Sequence, residues 1–528
     1  MIVKAKSIYG SPHRFLEVED GRIVRLFTDE GAKADYEFNG HVYPAFTDTH
    51  MHFIGYGMLL SELSLDAAAD IPEAMRMLAD YLPSCNKPIV TGRNWNQDLF
   101  AERRMLTRED LDSVSDGRPV VLRRVCGHVA VLNTAALRHY GILTPEGTAQ
   151  SMLDRYPDQI DRTAAGLPTG VLRENALELL THEYSDAELT DFILRAQDRL
   201  LAYGVAAVHS DDLYFRKDPG EIQRLYNRLE ERGSLHIRVY QQSQFGSIGA
   251  IRAALEGGYR QDRSGSLALF KNGPLKILAD GSLGGRTACL KEPYRDDPST
   301  RGLLIYPQDE LEAMLELAAS YDVDTVVHAI GDRTVQILID KQTRLREQNA
   351  ECVRAAKRRD AIVHCQIMSG EQIESMARIG YHALVQPVFL GYDSRIVRDR
   401  VGETLARTSY AYRSMLDAGI RLGFGSDAPV EDPDPFRSLY HAVEAPLYPD
   451  EAIRVDEAIA AFTSEAAFFA YEENTRGKLA PGYAADFCVL DRIIGSPIRD
   501  NRVIATFVGG ALRYKNTRPE IRSGEGDA

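Results

Sequence analysis

The tripeptide His50-Met51-His52 follows an apolar run, Val42 to Phe46, that reads as a strand, and it precedes Gly55 and Gly57. Alternate side chains of a strand share a face, so a His-x-His pair at a strand end can aim two imidazoles at one metal ion. Alone, the pair is a weak sign. It gains weight because four later strand-like runs also end in metal-competent residues, Lys276, His328, His364 and Asp427. Four neutral imidazoles and a carboxylate suit zinc or another borderline divalent metal, and they exceed what one tetrahedral ion needs, so two ions are expected. Lys276 is the misfit, since an ammonium beside divalent cations suffers repulsion and desolvation. A neutral lysine amine, however, reacts with carbon dioxide to give a carbamate, an anionic bidentate bridge, and that would turn Lys276 into a ligand.

Such residues act together only if a fold gathers the strand ends. Eight buried-strand runs stand out: Val42 to Phe46, Val205 to Val208, Ile237 to Tyr240, Leu275 to Leu278, Thr325 to Val327, Ala361 to Val363, Ala383 to Val385 and Leu422 to Phe424. From the second onward, stretches with helical periodicity separate them, such as Leu311-Met314-Leu315-Leu317-Ala318. The expected fold is α/β, a (β/α)8 TIM barrel whose strand ends share one mouth. His209, followed by Ser210-Asp211-Asp212, ends the second strand and is expected to face that mouth.

Between the first and second strands lies a long gap with strand-like runs of its own, Pro88 to Val90 and Val120 to Leu122. Residues 65–185 therefore read as an insertion covering the active-site mouth, within a barrel spanning 46–469. The chain ends alternate apolar and polar residues, as in Phe15-Leu16-Glu17-Val18 and Phe487-Cys488-Val489-Leu490. Segments 1–45 and 470–516 are expected to pair into a small composite β-sandwich.

The net charge of −15 over 528 residues argues against nucleic acid or an anionic membrane as partner. No signal peptide or long apolar span is evident, and the six cysteines (85, 126, 289, 352, 365, 488) are scattered without a Cys-x-x-Cys pair. That pattern reads as reduced thiols in a cytoplasmic protein. Self-association is left open.

The strings Asp48-Thr49-His50-Met51-His52, Asp280-Gly281-Ser282-Leu283-Gly284, Val327-His328-Ala329-Ile330-Gly331-Asp332, Val363-His364-Cys365-Gln366 and Gly425-Ser426-Asp427-Ala428-Pro429 resemble the amidohydrolase superfamily. They are most similar to its branch of N-substituted formamide deformylases and YtcJ-like proteins, and the resemblance runs to Leu479-Ala480-Pro481-Gly482 near the C-terminus. Pro44-Ala45-Phe46 stands where the family usually has Pro-Gly-Phe, which removes no ligand. The resemblance implies that His50, His52 and Asp427 hold one metal, that His328 and His364 hold the other, and that carboxylated Lys276 bridges them. Asp427 would also act as general base and then general acid. The same resemblance places Trp95, His128, Arg286 and Gln386 at the substrate. Each has a plainer reading, local packing for Trp95 and a salt bridge for Arg286 among them.

The implied activity is hydrolysis of a carbon–nitrogen bond other than a peptide bond, in a small N-substituted formamide or related amide. Two other readings fit the same residues: an ester, lactone or cyclic-amide hydrolase, and a non-catalytic metal-binding scaffold.

Overall fold

A computed structural model describes residues 1–517 apart from 30, 126–127, 157, 181, 217 and 349–357. Eight parallel strands form one sheet in chain order: β1 (Phe46–Met51), β2 (Val205–Ser210), β3 (Arg238–Ser243), β4 (Phe270–Leu278), β5 (Thr325–Ala329), β6 (Ala361–His364), β7 (His382–Val385) and β8 (Leu422–Phe424). β1 and β8 meet just beyond their ends, where the Asp427 N–H donates to the His50 carbonyl (2.8 Å) and the His52 N–H to the Ala428 carbonyl (2.7 Å). The sheet is thus a nearly closed barrel, as the strand count foretold.

These strands are buried on both faces because one face lines the packed interior and the other lies under helices. Helix Gln308–Ser320 buries Leu311, Met314, Leu315, Leu317 and Ala318, the stripe already visible in the sequence. Helix Pro219–Glu231 opens with the Asp218 side chain capping the Gly220 N–H and with proline in its first turn, then buries Ile222, Leu225, Tyr226 and Leu229.

One strand lies elsewhere than its apolar run suggests. His41–Pro44 pairs with Phe487–Leu490 in a five-stranded sheet that also contains Ser7–Ile8, Val503–Val508 and Ala511–Lys515. β1 begins only at Phe46 and carries Thr47, Asp48, Thr49 and His50 in its interior, all buried. Such a polar run reads as a loop end, yet its partners make it a strand: Arg476 donates to Thr47 Oγ1 (2.6 Å) and Ser426 Oγ to Asp48 (2.6 Å). A second, four-stranded sheet of N-terminal strands contributes Val3, Leu16, Val18 and Ile23 to a core shared with Phe487 and Phe507, whose rings stack at 4.4 Å. The two chain ends therefore build one β module.

The chain forms two compact units, Met1–Tyr56 with Ile193–Ala528, and Gly57–Phe192. The second unit contains the stretch 65–185 and has its own mixed six-stranded sheet, with a core that includes Leu78, Val90, Trp95, Phe100, Val120 and Leu122. Cys85, Cys289, Cys365 and Cys488 are buried free thiols, while Cys126 and Cys352 lie outside the described residues. Among the described residues no helix is long and apolar enough to cross a membrane.

Candidate metal centre

The six ligand candidates come together where β1, β4, β5, β6 and β8 end. His50 Nε2 and His52 Nε2 each lie 3.4 Å from Asp427 Oδ1, and the ligand atoms of these three residues all fall within 4.8 Å of one another. That trio can hold one metal ion. Lys276 Nζ is 2.9 Å from His50 Nε2, and His364 Nε2 is 2.9 Å from His328 Nδ1. The His50 and His364 rings are 6.0 Å apart, which joins the two clusters.

Each imidazole has its other nitrogen engaged by an oxygen. His50 Nδ1 meets Gln242 Oε1 (2.6 Å), His52 Nδ1 the Asp211 carbonyl (3.1 Å), His364 Nδ1 Gln386 Oε1 (2.7 Å) and His328 Nε2 the Gly281 carbonyl (3.1 Å). Gln242 and Gln386 are themselves turned by donating to the Thr49 (3.0 Å) and Leu384 (3.1 Å) carbonyls. A carbonyl oxygen only accepts, so the facing nitrogen carries the hydrogen and the opposite nitrogen keeps its lone pair. The lone pairs are then at His50 Nε2, His364 Nε2 and His328 Nδ1, atoms that point into the cluster, while His52 Nε2 faces Asp427 Oδ1. Such a donor set fits a divalent cation.

The loops around the cluster are built to hold it. His364 (φ 78°) and Asp427 (φ 57°) both adopt left-handed backbone, a conformation that costs a non-glycine residue about 1–3 kcal/mol and concentrates at functional sites. Gly425 is required beside them, since a Cβ there would sit 2.7 Å from the His50 nitrogen. Asp280 accepts from the Cys289, Ile330 and Gly331 N–H groups (2.9, 3.0 and 2.9 Å) and from Thr334 Oγ1 (2.9 Å). It thereby ties the loop after β4 to the loop after β5.

Burial governs the protonation of the site. It lowers the Lys276 amine to about 8 and His364 to about 4, and it drives His50 and His328 well below the usual histidine value. His52 is the exception: burial pushes it down, but its hydrogen bond and charge interaction with Asp427 outweigh that and raise it. For Asp427 burial favours the protonated form, yet the bond from His52 and the neighbouring imidazoles hold the carboxyl well below the ordinary range. Neutral imidazoles at His50, His328 and His364, an ionised carboxylate and an amine that loses its proton near neutrality are the states that metal ligation needs.

The remaining sequence candidates divide. Gln386 is buried and orients His364. Arg286 follows the glycine-rich run after β4 and pairs with Asp296 (3.0 Å). His128, in the Gly57–Phe192 unit, is exposed and lies 3.1 Å from Glu174. Trp95 has no exposed surface and donates its indole N–H to the Leu122 carbonyl (2.9 Å), so it anchors packing in its own unit. His209 is turned away from the mouth and lines a void of about 10 Å3 beside Lys271, Glu472 and Arg476. Sequence reasoning missed Gln242, the Asp211 and Gly281 carbonyls, and two rings flanking the cluster. These are Tyr214, edge-on to His52 at 5.8 Å, and Phe389, stacked on His364 at 5.8 Å. The one available sign was the polar end of β3, Gln241-Gln242-Ser243.

Comparison with known proteins agrees with this geometry. The model described as the amidohydrolase family matches residues 39–514. The YtcJ protein of Bacillus subtilis (strain 168) is 32% identical over 502 residues, covering 90% of each chain. The N-substituted formamide deformylase of Arthrobacter pascens is 26% identical over 507 residues, 90% of this chain and 89% of that one. A crystal structure of an uncharacterized metal-dependent hydrolase from Pyrococcus furiosus is similar with a TM-score of 0.75 at 28% identity, covering 93% of this chain and 99% of the other.

Proposed function

The chain belongs to the amidohydrolase family, and from that premise we propose that it hydrolyses a carbon–nitrogen bond other than a peptide bond, in a small N-substituted formamide or related amide. The observation that carries this reading is the convergence of four imidazoles, Asp427 and the low-pKa amine of Lys276. The substrate class is supported by the likeness to the Arthrobacter pascens deformylase and by the YtcJ relative. We place the chain in their branch of the family on the same grounds.

His50, His52 and Asp427 would hold one ion and His328 and His364 a second, with zinc favoured by the imidazole donors. Lys276 would bridge them as a carbamate, formed when its neutral amine adds to carbon dioxide and releases a proton. A divalent metal in such a site lowers the pKa of water toward neutrality and polarises a carbonyl. Asp427, ionised and hydrogen-bonded to His52, accepts the proton of the attacking water and returns it to the departing nitrogen, so that the amine leaves neutral. Gln242 and Gln386 keep the imidazoles in the required tautomer. Arg286, paired with a carboxylate that a substrate group could displace, is a candidate substrate contact.

The test is metal analysis and electron density at Lys276, followed by a screen of N-formyl and N-acetyl amines with the zinc-loaded protein. Release of amine is the expected outcome. Turnover of esters or lactones with no amine released would move the assignment to the second class of substrate, and bound metal without any turnover would leave a scaffold.

A further inference from the structure

Two adjacent carboxylates follow β2, and they are equally buried: Asp211 is 1% exposed and Asp212 0%. Their surroundings differ. Asp212 accepts from the Ile54 N–H (2.9 Å), the Ser210 hydroxyl (2.8 Å) and the Tyr226 hydroxyl (2.7 Å), which ties β2 to the segment after His52 and to helix Pro219–Glu231. Asp211 Oδ1 is buried and finds no hydrogen-bond partner among the described residues. A buried carboxylate oxygen without a hydrogen-bond partner is unfavourable unless a cation faces it.

The main chain of Asp211 is locked onto the metal centre, its carbonyl receiving His52 Nδ1 (3.1 Å) and its N–H donating to the Met51 carbonyl (3.0 Å). The charges that act most strongly on its carboxylate are Lys276 and then His52. Reciprocally, Asp211 is the leading favourable charge on Lys276, ahead of Asp427. The orphaned oxygen therefore lies in the electrostatic field of the cluster, on the β2 side, where no ligand candidate had been found.

We propose that Asp211 is a built-in counter-charge of the metal centre, a positioning residue whose carboxylate raises the affinity of the cluster for divalent cations and whose burial destabilises the metal-free fold. The inference rests on the metal-centre reading and not on the amide substrate. An opposite charge held close in a poorly screened interior stabilises the loaded state, and groups around metal ligands typically change affinity by about 10–100-fold. Asp212, engaged on three sides, is the structural counterpart.

Asp211→Asn and Asp212→Asn separate the two roles. Thermal unfolding of the chelator-stripped protein with and without Zn2+, and the Zn2+ Kd from competition with a chromophoric chelator, are measured for both variants and the wild type. For Asp211→Asn the metal-free midpoint should rise, while Zn2+ affinity falls about 10–100-fold. In contrast, Asp212→Asn should lower the metal-free midpoint and keep Zn2+ affinity close to wild type, and Asp211→Glu should recover part of the lost affinity. An Asp211→Asn protein that misfolds, melts earlier without metal, or binds Zn2+ as the wild type does overturns the proposal alone. A wild-type chain that binds no Zn2+ removes the metal-centre reading as well.

Discussion

The same strands carry two opposite kinds of buried charge. At their N-terminal starts β3, β4, β5 and β6 present or follow Arg238, Lys271, Asp324 and Asp360, and each has an opposite charge in contact. Arg238 meets Asp486 at 2.7 Å, Lys271 meets Glu472 at 2.8 Å, Arg263 meets Asp324 at 2.8 Å and Arg358 meets Asp360 at 2.5 Å. At their C-terminal ends the same strands offer Gln242, Lys276, His328 and His364, a set dominated by lone pairs that meet one another. Each of these charged groups at the base has an oppositely charged partner, and the mouth instead gathers imidazoles and an amine. Burial by itself thus distinguishes nothing here; what distinguishes a site from a scaffold is whether the buried groups satisfy one another.

Four experiments would break or sharpen that contrast. Asp427→Asn, at the mouth, should lower kcat on the amide proposed as substrate by about 10²–10⁴-fold, the range for losing a general acid–base group, and leave the thermal midpoint of the metal-free chain undiminished. Steady-state amine release and calorimetry check both halves. At the base, Arg238→Met strands the Asp486 carboxylate that joins the barrel to the terminal β module. It should cost about 3–5 kcal/mol in denaturant unfolding without changing Zn2+ affinity, and a change in that affinity would dissolve the division between the ends.

Gln242→Leu removes the acceptor that fixes His50 and the donor to the Thr49 carbonyl. Metal affinity should fall about 10–100-fold in chelator competition, and the stranded His50 N–H and Thr49 carbonyl should cost about 1–3 kcal/mol of stability each. A pH-dependent effect belongs to His209, which burial lowers from 6.5 to about 3. The unfolded chain takes up that proton near the ordinary value while the folded chain resists it, so protonation favours unfolding between those two pH values. Stability should be flat in this respect above neutrality and decline on acidification, and the slope of unfolding free energy against pH should shrink in His209→Gln.

Much of this organisation is readable in the chain. Seven of the eight barrel strands coincide with apolar runs, because a strand buried on both faces has to be apolar along most of its length. The ligand candidates were readable too, since metal chemistry restricts residue type severely. β1 escaped because Thr47, Asp48, Thr49 and His50 break the apolar pattern, and the groups that satisfy them, Arg476 and Ser426, lie hundreds of residues away. His209 was misread for a related reason. A histidine at the end of an apolar run can face either way, and only the arrangement of Lys271, Glu472 and Arg476 around it decided which.

The chain alone determined the residue types capable of holding a cation, their order along the strands, and the helical and extended periodicities that carry them. Those follow from side-chain chemistry and local geometry, which are written residue by residue. Tertiary structure alone decided which imidazole nitrogen keeps its lone pair, that Asp280 ties two loops together, and that Asp211 lacks what Asp212 has. Each of those depends on a partner brought close by folding, and a hydrogen bond or an unmet charge exists only between groups that share a place.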